Sequence, residues 1–209
     1  MIIIIDYGMG NVGSILNTIK YIGGEAKISD NPNSLEKATG IILPGVGAFE
    51  RGMRNLIEYK WIDPLNEATI NKKIPTLGIC LGMQLMTRSS EESPNIRGLE
   101  WFSAETIKFN FHNQKKIKIP HMGWNTFYPV KDSKLFQNYE EEQRFYFVHS
   151  YHVICENKSD ISAKTNYGSE FVSAIEKNNI FGLQPHPEKS HKFGMRLFND
   201  FLNLTRKKC

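Results

Sequence analysis

Apolar residues in the first half of the chain alternate between short continuous runs and helical spacing. Ile2 to Ile5 is a fully apolar run, which is typical of a parallel strand covered on both faces. Apolar residues then recur at helical spacing from Val12 to Ile22, and the glycine pair at 23–24 predicts the end of that helix. Residues 41–43 and 74–79 form further apolar runs. This rhythm predicts an α/β fold in which helices flank a mainly parallel central sheet.

The second half of the chain has a different pattern. Short β-type runs separated by turns occur between Gly98 and Glu176 and predict antiparallel strands. These runs cover residues 104–109, 116–119, 145–149, 162–166 and 171–175. Helices are predicted within Arg51 to Asn71, over Leu81 to Arg88 and over Lys192 to Leu204, with a strand over Ile180 to Leu183. The expected fold is therefore a mixed α/β sheet with an additional antiparallel β portion.

The composition fits a single domain covering residues 1–209. Hydrophobic residues make up 40% of the 209, enough to bury a substantial core. The net charge of +4 is modest and no basic stripe is visible, so nucleic-acid binding is not expected. No apolar run approaches membrane-spanning length, and three cysteines without a C-x-x-C pair indicate neither a disulfide framework nor a zinc site. We expect a cytoplasmic protein that uses no metal or other cofactor.

A glycine fingerprint follows the first predicted strand. The segment Gly8 to Gly13 fits G-x-G-x-x-G and opens a helix, and Asp30 lies near the place of a ribose-binding acid. Taken alone, this pattern indicates an NAD-type enzyme. The chain has no clear second nucleotide-binding half, however, so we interpret the glycines as a tight strand-to-helix turn.

Cys80 lies on a predicted strand-to-helix turn. An apolar strand runs into Gly78-x-Cys80-x-Gly82 and then into a helix, which is the cysteine counterpart of the G-x-S-x-G elbow. N–H groups at the start of that helix would favour a thiolate and face a developing oxyanion. A cysteine in an apolar strand is often only a small core residue. Here the two glycines and the switch to a helix favour a nucleophile.

A cysteine nucleophile needs a base, and the base needs an orienting group. Among six histidines, His186 is the best placed, because it follows an apolar strand and Glu188 comes two residues later. The same residues match the H-x-E of a zinc deaminase, but the required downstream P-C-x-x-C is missing. Pro44 to Gly47 ends a neighbouring strand and is either an oxyanion donor or a plain turn.

With these motifs the chain resembles the class I (triad) glutamine amidotransferases. Within that class it is similar to the glutaminase subunits of imidazole glycerol phosphate synthases, which act in histidine biosynthesis. The matching segments are residues 6–11, 43–49, 77–85, 120–125, 146–151 and 186–190. They extend from the first strand to the last helix, so the resemblance covers nearly the whole chain.

The resemblance implies roles for individual residues. Cys80 would be the nucleophile, His186 the base and Glu188 the acid that orients the base. The oxyanion segment, defined here as Pro44 to Gly47, would supply one N–H after a peptide flip. The implied oxyanion and substrate-binding residues are Val46, Gly47, Leu81, Gln84, Glu92, His149, Ser150 and Tyr151.

The resemblance also implies a substrate and a partner. L-glutamine would be hydrolysed, and the ammonia would enter a (β/α)8 barrel subunit that forms a heterodimer with this chain. Trp124, Tyr146 and Lys189 match positions that face this synthase subunit. Activity is expected to be low until the partner is occupied. The family usually has Phe where this chain has Pro185, a change that affects loop stiffness but removes no catalytic group.

Two alternatives remain open. The same glutaminase chemistry serves paralogues that supply ammonia for amidination of surface-polysaccharide sugars, and the stretches Arg97 to Ala104 and Arg144 to His152 are similar to those paralogues. A non-catalytic regulatory or scaffold member of the fold is the other alternative. The presence of Cys80, His186 and Glu188 argues against a non-catalytic protein.

Overall fold

The computed structural model describes residues 1–111, 117–137, 139 and 142–206. Its strands are β1 (Ile2–Ile5), β2 (Ala26–Ser29), β3 (Gly40–Leu43), β4 (Thr76–Ile79), β5 (Ser89–Ser90), β6 (Ala104–Lys108), β7 (His121–Pro129), β8 (Gln143–His149), β9 (Tyr151–Cys155), β10 (Ile161–Tyr167), β11 (Ser169–Lys177) and β12 (Ile180–Leu183). Its α-helices are α1 (Val12–Tyr21), α2 (Phe49–Glu58), α3 (Ile62–Asn66), α4 (Leu81–Leu85) and α5 (His191–Arg206). Short 3-10 turns cover Pro32–Lys37, Lys158–Asp160 and Pro187–Lys189, and one π-helical turn covers Glu67–Asn71.

The strands form one mixed sheet, as the pattern predicts. Its main path runs β2-β1-β3-β4-β12-β11-β10-β7-β8. The strands from β2 to β12 are mutually parallel, whereas every pairing from β12 to β8 is antiparallel. Off this path, β6 pairs with β5 and β9, and β9 also pairs with β11. The first half of the chain therefore builds most of the parallel layer and the second half builds the antiparallel portion.

Both faces of the parallel layer are covered by helices. Ile3 and Ile5 belong to a core cluster that includes α2, whereas Ile2 and Ile4 belong to a second cluster that includes α1 and α5. Successive side chains of a strand point to opposite faces. Because both faces are covered, all four isoleucines are buried. None of the helices in the described ranges has the length and apolar character needed to cross a bilayer.

The structure differs from the predicted elements in several places. Strands β5, β7 and β9 were not predicted, and the predicted helix from Leu81 ends at Leu85 rather than Arg88. No strand forms over residues 117–119, and Lys116 lies outside the described residues. Strand β7 lacks regular apolar alternation, because most of its side chains are exposed or half-buried. Strand β9 follows β8 after the single residue Ser150, so no turn signal separates them.

Three neighbouring parallel strands place the candidate functional residues. Strand β4 lies between β3 and β12, with Leu43 opposite Gly78 and Leu183 opposite Ile79. The carboxyl ends of parallel strands meet at one edge of a sheet, so the segments that follow these three strands converge. The Cys80 N–H donates to the Leu183 carbonyl at 2.7 Å, which fixes the start of the turn after β4 against β12.

Candidate active site

The turn at Cys80 has the strained geometry that the sequence predicts. Cys80 has φ 53° and ψ −109°, a conformation in which L-residues are uncommon, and it directly precedes α4. A Cβ on Gly82 would overlap the Leu43 carbonyl oxygen, and one on Gly78 would lie 2.7 Å from the Met86 methyl. Both glycines are therefore needed for the close approach of α4 to the sheet. The thiol itself is only 6% exposed and borders a cavity.

His186 and Glu188 form a buried pair beside this cavity. Nδ1 of His186 lies 2.8 Å from Oε1 of Glu188, and both side chains are 2% exposed. Nε2 of His186 has no hydrogen-bond partner among the described residues, and the His186 side chain interacts with Cys80. This geometry leaves Nε2 available to exchange a proton with the thiol or with a bound substrate.

The backbone of His186 is anchored to β8. Its N–H donates to the Tyr146 carbonyl at 2.8 Å, and the Ser190 hydroxyl donates to the His186 carbonyl at 2.6 Å. The Tyr146 N–H in turn donates to the Ser190 oxygen at 3.0 Å. These bonds form with Pro185 in place, so the departure from the family pattern leaves the imidazole anchored.

The charges around His186 favour its protonated form. Burial lowers the pKa of the imidazole, but the interactions with Cys80 and with the Glu188 carboxylate outweigh burial and raise this pKa above its usual value. Transfer of the Cys80 proton to Nε2 would place a nucleophilic thiolate next to a proton donor. The pair can therefore attack a carbonyl carbon and protonate a leaving amine.

One cavity of about 320 Å³ brings together the residues predicted to bind substrate, a size that suits a small ligand. It is lined by Val46, Gly47, Cys80, Leu81, Gln84, Glu92, Pro120, Val148, His149, Ser150, Tyr151 and His186. All eight predicted oxyanion and substrate residues are in this set. Two lining residues, Pro120 and Val148, were not singled out from the sequence.

Gln184 is a further residue that the sequence analysis missed. It is fully buried, its Nε2 lies 3.7 Å from the Cys80 sulfur, and its Oε1 accepts a hydrogen bond from Gln84 at 3.2 Å. Gln184 comes directly after the apolar strand β12, and a polar side chain at that position is the sequence signal that could have indicated this residue. The structure shows why this position is polar: it faces the strand end that carries Cys80.

The oxyanion segment does not yet direct an N–H group at the position that the Leu81 N–H faces, as a completed oxyanion hole would require. The Leu81 N–H donates to the Gly45 carbonyl at 3.3 Å, so a carbonyl oxygen rather than a second N–H faces the Leu81 donor. The Gly45–Val46 peptide is trans, since only one peptide bond in the described residues is cis and it lies elsewhere. In a trans peptide the N–H points opposite to the C=O, so the Val46 N–H points away from Leu81. The predicted peptide flip would start from this geometry.

The glycine fingerprint supports the oxyanion segment. Gly10 has φ +105°, and a Cβ there would lie 2.9 Å from the Pro44 Cβ. The Tyr7 hydroxyl donates to the Pro44 carbonyl at 2.7 Å, and Asn55 Nδ2 donates to the Tyr7 carbonyl at 2.8 Å. The turn after β1 thus packs against residue 44, in agreement with the interpretation as a tight turn.

The three residues predicted to face a partner form one surface patch. Trp124 on β7 is directly opposite Tyr146 on β8, with ring centroids 6.4 Å apart. The Lys189 ammonium lies 5.8 Å from the Tyr146 ring centroid, and His191 stacks on Trp124 at 5.4 Å. Trp124 is 41% exposed, which is unusual for so large an apolar side chain.

Comparison with known proteins decides the family. A family model described as glutamine amidotransferase class-I matches residues 3–204. The chain belongs to this family. Solved structures agree in fold: the amidotransferase chain matches a glutamine amidotransferase with a TM-score of 0.74 at 16% identity, covering 97% and 98% of the two chains. It matches a structure of PurLQS from Thermotoga maritima with a TM-score of 0.71 at 18% identity, covering 97% of each chain.

Relatives found by sequence have a higher sequence identity to this chain than these solved structures. The amidotransferase is 55% identical to imidazole glycerol phosphate synthase subunit HisH 2 of Methanococcus maripaludis, covering 97% of this chain and 98% of the relative. It is 44% identical to subunit HisH 2 of Pseudomonas aeruginosa, covering 98% and 100%. These matches cover nearly the whole of this chain. The described residues contain no cluster of His, Cys, Asp or Glu suited to a metal ion.

Proposed function

We propose that this amidotransferase hydrolyses L-glutamine and delivers the ammonia to a (β/α)8 cyclase subunit that makes imidazole glycerol phosphate in histidine biosynthesis. The observation that carries the proposal is the convergence of Cys80, His186 and all eight predicted pocket residues on one cavity. The 55% identity to a HisH subunit supports the choice of pathway. We further propose a single domain over residues 1–209 that acts as one half of a cytoplasmic heterodimer.

The proposed reaction is acyl transfer through a thioester. The Cys80 thiolate attacks the side-chain carbonyl carbon of glutamine, and the carbonyl oxygen takes up the negative charge. The His186 imidazolium protonates the nitrogen as the carbon–nitrogen bond breaks, so ammonia leaves and a glutamyl thioester remains. His186, now neutral, removes a proton from water, which attacks the thioester and releases glutamate. Glu188 keeps the imidazole oriented throughout through its contact with Nδ1.

The oxyanion segment would control the rate of this reaction. In the resting geometry the Leu81 N–H donates to the Gly45 carbonyl, which takes the place of an oxyanion. A flip of the Gly45–Val46 peptide would replace that carbonyl by the Val46 N–H and complete a two-donor oxyanion hole. Loss of one such donor typically costs about 10²- to 10³-fold in rate. We therefore propose that hydrolysis is slow until partner binding favours the flip.

Other groups in the cavity suit the polar ends of glutamine. The Glu92 carboxylate borders the cavity and is held by the Phe49 N–H at 2.8 Å, which makes it an acceptor for the ammonium group. The wall formed by Ser150 and Tyr151 lies on the same side as Gln84. The patch of Trp124, Tyr146 and Lys189 is connected to His186 through the Tyr146 backbone. Docking of the cyclase on this patch would place its barrel near the site of ammonia release.

The test is ammonia release from glutamine by the full chain. The assay is run with the histidine-pathway cyclase and its ribonucleotide ligand, and again without them, using the wild type and Cys80→Ala. Cys155→Ala is the matched control, since Cys155 is also a free thiol but lies on β9 outside the cavity. We expect strong stimulation that Cys80→Ala abolishes and Cys155→Ala retains.

Two other outcomes would change the proposal in different ways. Weak Cys80-dependent hydrolysis without stimulation by the cyclase would retain the chemistry but contradict the histidine pathway, and would favour the sugar-amidinating alternative. Hydrolysis that is equally fast with and without the liganded partner would contradict the proposed control by the oxyanion segment. No Cys80-dependent hydrolysis under either condition would contradict the enzyme itself.

A further inference from the structure

Two buried histidines form a chain of hydrogen bonds that begins at Asn125 on β7. The Thr126 N–H donates to Asn125 Oδ1 at 2.8 Å, which identifies the other end of the amide as its nitrogen. That Nδ2 donates to the Asn166 carbonyl at 2.8 Å and lies 3.2 Å from His121 Nε2. An amide nitrogen has only hydrogens to offer, so His121 Nε2 must be the acceptor.

The tautomers of both imidazoles follow from this first bond. Because His121 accepts at Nε2, its hydrogen is on Nδ1, which lies 3.0 Å from His149 Nε2. His149 therefore accepts at Nε2 and carries its hydrogen on Nδ1, 2.8 Å from the Tyr151 carbonyl oxygen. The chain runs in one direction, from Asn125 through two neutral imidazoles to Tyr151. His121 and His149 are direct cross-strand neighbours of β7 and β8.

The surroundings keep both rings neutral. His121 stacks between Phe147 at 4.8 Å and Tyr167 at 4.0 Å, and His149 packs against Phe171 at 5.2 Å. Burial lowers the pKa of His121 to about 4, and burial also dominates in lowering that of His149 to about 3. Neither histidine is assigned a proton-transfer step in the proposed reaction, and their side chains are 2% and 6% exposed.

The chain ends on the wall of the Cys80 cavity. The Tyr151 carbonyl that accepts from His149 also accepts from Gln84 Nε2 at 3.2 Å. Gln84 belongs to α4, the helix that begins directly after Cys80, and it also donates to Gln184 beside the sulfur. The Tyr151 carbonyl is thus held from one side by the histidine chain and from the other by α4.

We propose that His121 and His149 are positioning residues that fix the Tyr151 carbonyl, and with it the Ser150–Tyr151 wall, in the geometry that receives glutamine. The inference rests on the proposed function, because the wall matters only if glutamine occupies the cavity. Two apolar side chains at positions 121 and 149 would also fill the space beside Phe147, Tyr167 and Phe171. They would remove the hydrogen bond to the Tyr151 carbonyl and leave its bond from Gln84. The two neutral histidines transmit a directed hydrogen bond to it through the core.

Variants at position 121 separate hydrogen bonding from packing. His121→Phe keeps an aromatic ring between Phe147 and Tyr167 but removes the donor to His149. His121→Asn keeps an N–H near the place of Nδ1 and is the conservative variant. Phe147→Leu is the matched control, because it weakens the same stack without removing a polar group. Thermal unfolding of each variant verifies that it folds.

The readout is covalent labelling of Cys80 by the glutamine analogue 6-diazo-5-oxo-L-norleucine, measured with the liganded cyclase subunit present. For His121→Phe we expect the half-saturating analogue concentration to rise about ten-fold, the usual effect of one lost hydrogen bond that leaves a buried group unsatisfied, with the maximal rate within about two-fold of wild type. His121→Asn should regain most of this loss. Phe147→Leu should lower the unfolding temperature without changing the half-saturating concentration. Iodoacetamide, which needs no glutamine pocket, should label Cys80 equally in all four proteins.

Failures of this inference and of the proposed function give different results. If the analogue does not label wild-type Cys80 while iodoacetamide does, the proposed function is wrong. The positioning role of His121 and His149 is then wrong as well. If the analogue labels His121→Phe as it labels the wild type, or Phe147→Leu loses as much as His121→Phe, only the positioning role is overturned. Nitrogen-15 NMR adds a test independent of glutamine: both His121 and His149 should carry their hydrogen on Nδ1, and an Nε2–H signal from either would contradict the chain.

Discussion

The turn that carries Cys80 and the oxyanion segment lie side by side at the same sheet edge, yet they differ in readiness. Around Cys80, the His186–Glu188 contact is already 2.8 Å and both side chains are buried. In the oxyanion segment, the Gly45 carbonyl accepts from the Leu81 N–H, where an oxyanion should be. The groups proposed to move protons are in place, whereas one of the two groups proposed to hold charge is not.

This difference would make such a site both preorganised and slow. Moving the imidazole would disturb a buried charged pair, which is costly, but turning one glycine-flanked peptide disturbs few contacts. We therefore expect that a change in the oxyanion segment can control the rate with a smaller energetic cost than a movement of the imidazole. Experiments on each region should therefore give different signatures.

The largest effect is expected from Glu188→Gln in the region that is already organised. The amide cannot hold the imidazolium as the carboxylate does, so we expect the partner-stimulated rate of ammonia release to fall by about 10²- to 10⁴-fold. The Glu188 carboxylate helps to raise the pKa of His186, so this pKa should be lower in the variant. The imidazolium would then be lost at lower pH, and the basic limb of the pH–rate profile should shift to lower pH.

A surface carboxylate provides the control for Glu188→Gln. Glu170 pairs with Lys164 on the exposed side of β10 and β11, and its side chain is 61% exposed. Glu170→Gln makes the same chemical change and should leave both the rate and the pH profile unaltered. Retention of more than about a tenth of the activity by Glu188→Gln would show that the carboxylate does not orient the base.

A smaller and conditional effect is expected from Val46→Pro in the oxyanion segment. Proline has no N–H, so the flipped peptide could not complete the oxyanion hole. We expect the partner-stimulated rate to fall by about 10²- to 10³-fold, while the basal rate stays close to wild type because the Val46 N–H is not directed at the site at rest.

Val46→Ala separates the missing N–H from the missing side chain. Val46 is 42% exposed, so truncation to Ala leaves no large cavity and keeps the donor. Stimulation by the partner should survive in Val46→Ala. A fall in the basal rate of Val46→Pro as large as the fall in its stimulated rate would mean that the Val46 N–H already acts at rest, against the resting geometry described above.

The smallest effects are expected in the glycine turn beneath the oxyanion segment. Gly10→Ala forces a side chain onto φ +105° and against Pro44, and should lower the free energy of unfolding by about 1–3 kcal/mol. Gly13→Ala places its Cβ in open space within α1 and should raise that free energy by up to about 1 kcal/mol. Denaturant unfolding of both variants measures the difference. Equal effects from the two glycines would contradict the packing of this turn on Pro44.

The periodic parts of the chain were predicted well because burial on both faces leaves a clear pattern. Strand β1 is an example: its four isoleucines divide between two core clusters. Strand β7 is the opposite case, because its side chains are mostly exposed or half-buried and its place in the sheet depends on pairing with β8 and β10. The hydrophobic pattern of β7 therefore does not predict a strand. Trp124 of the surface patch nevertheless lies on β7.

The sequence by itself determined the strands of the parallel layer, the Cys80 turn and the spacing of His186 and Glu188, because apolar runs, glycines and residue order are local properties. The tertiary structure alone decided which strands adjoin, and thus that β3, β4 and β12 bring the proposed site together. It also decided the direction of the Gly45 peptide, the role of Gln184 and the histidine chain to Tyr151. These depend on distances between residues far apart in the chain, and a hydrogen bond between such groups leaves no periodicity in the sequence.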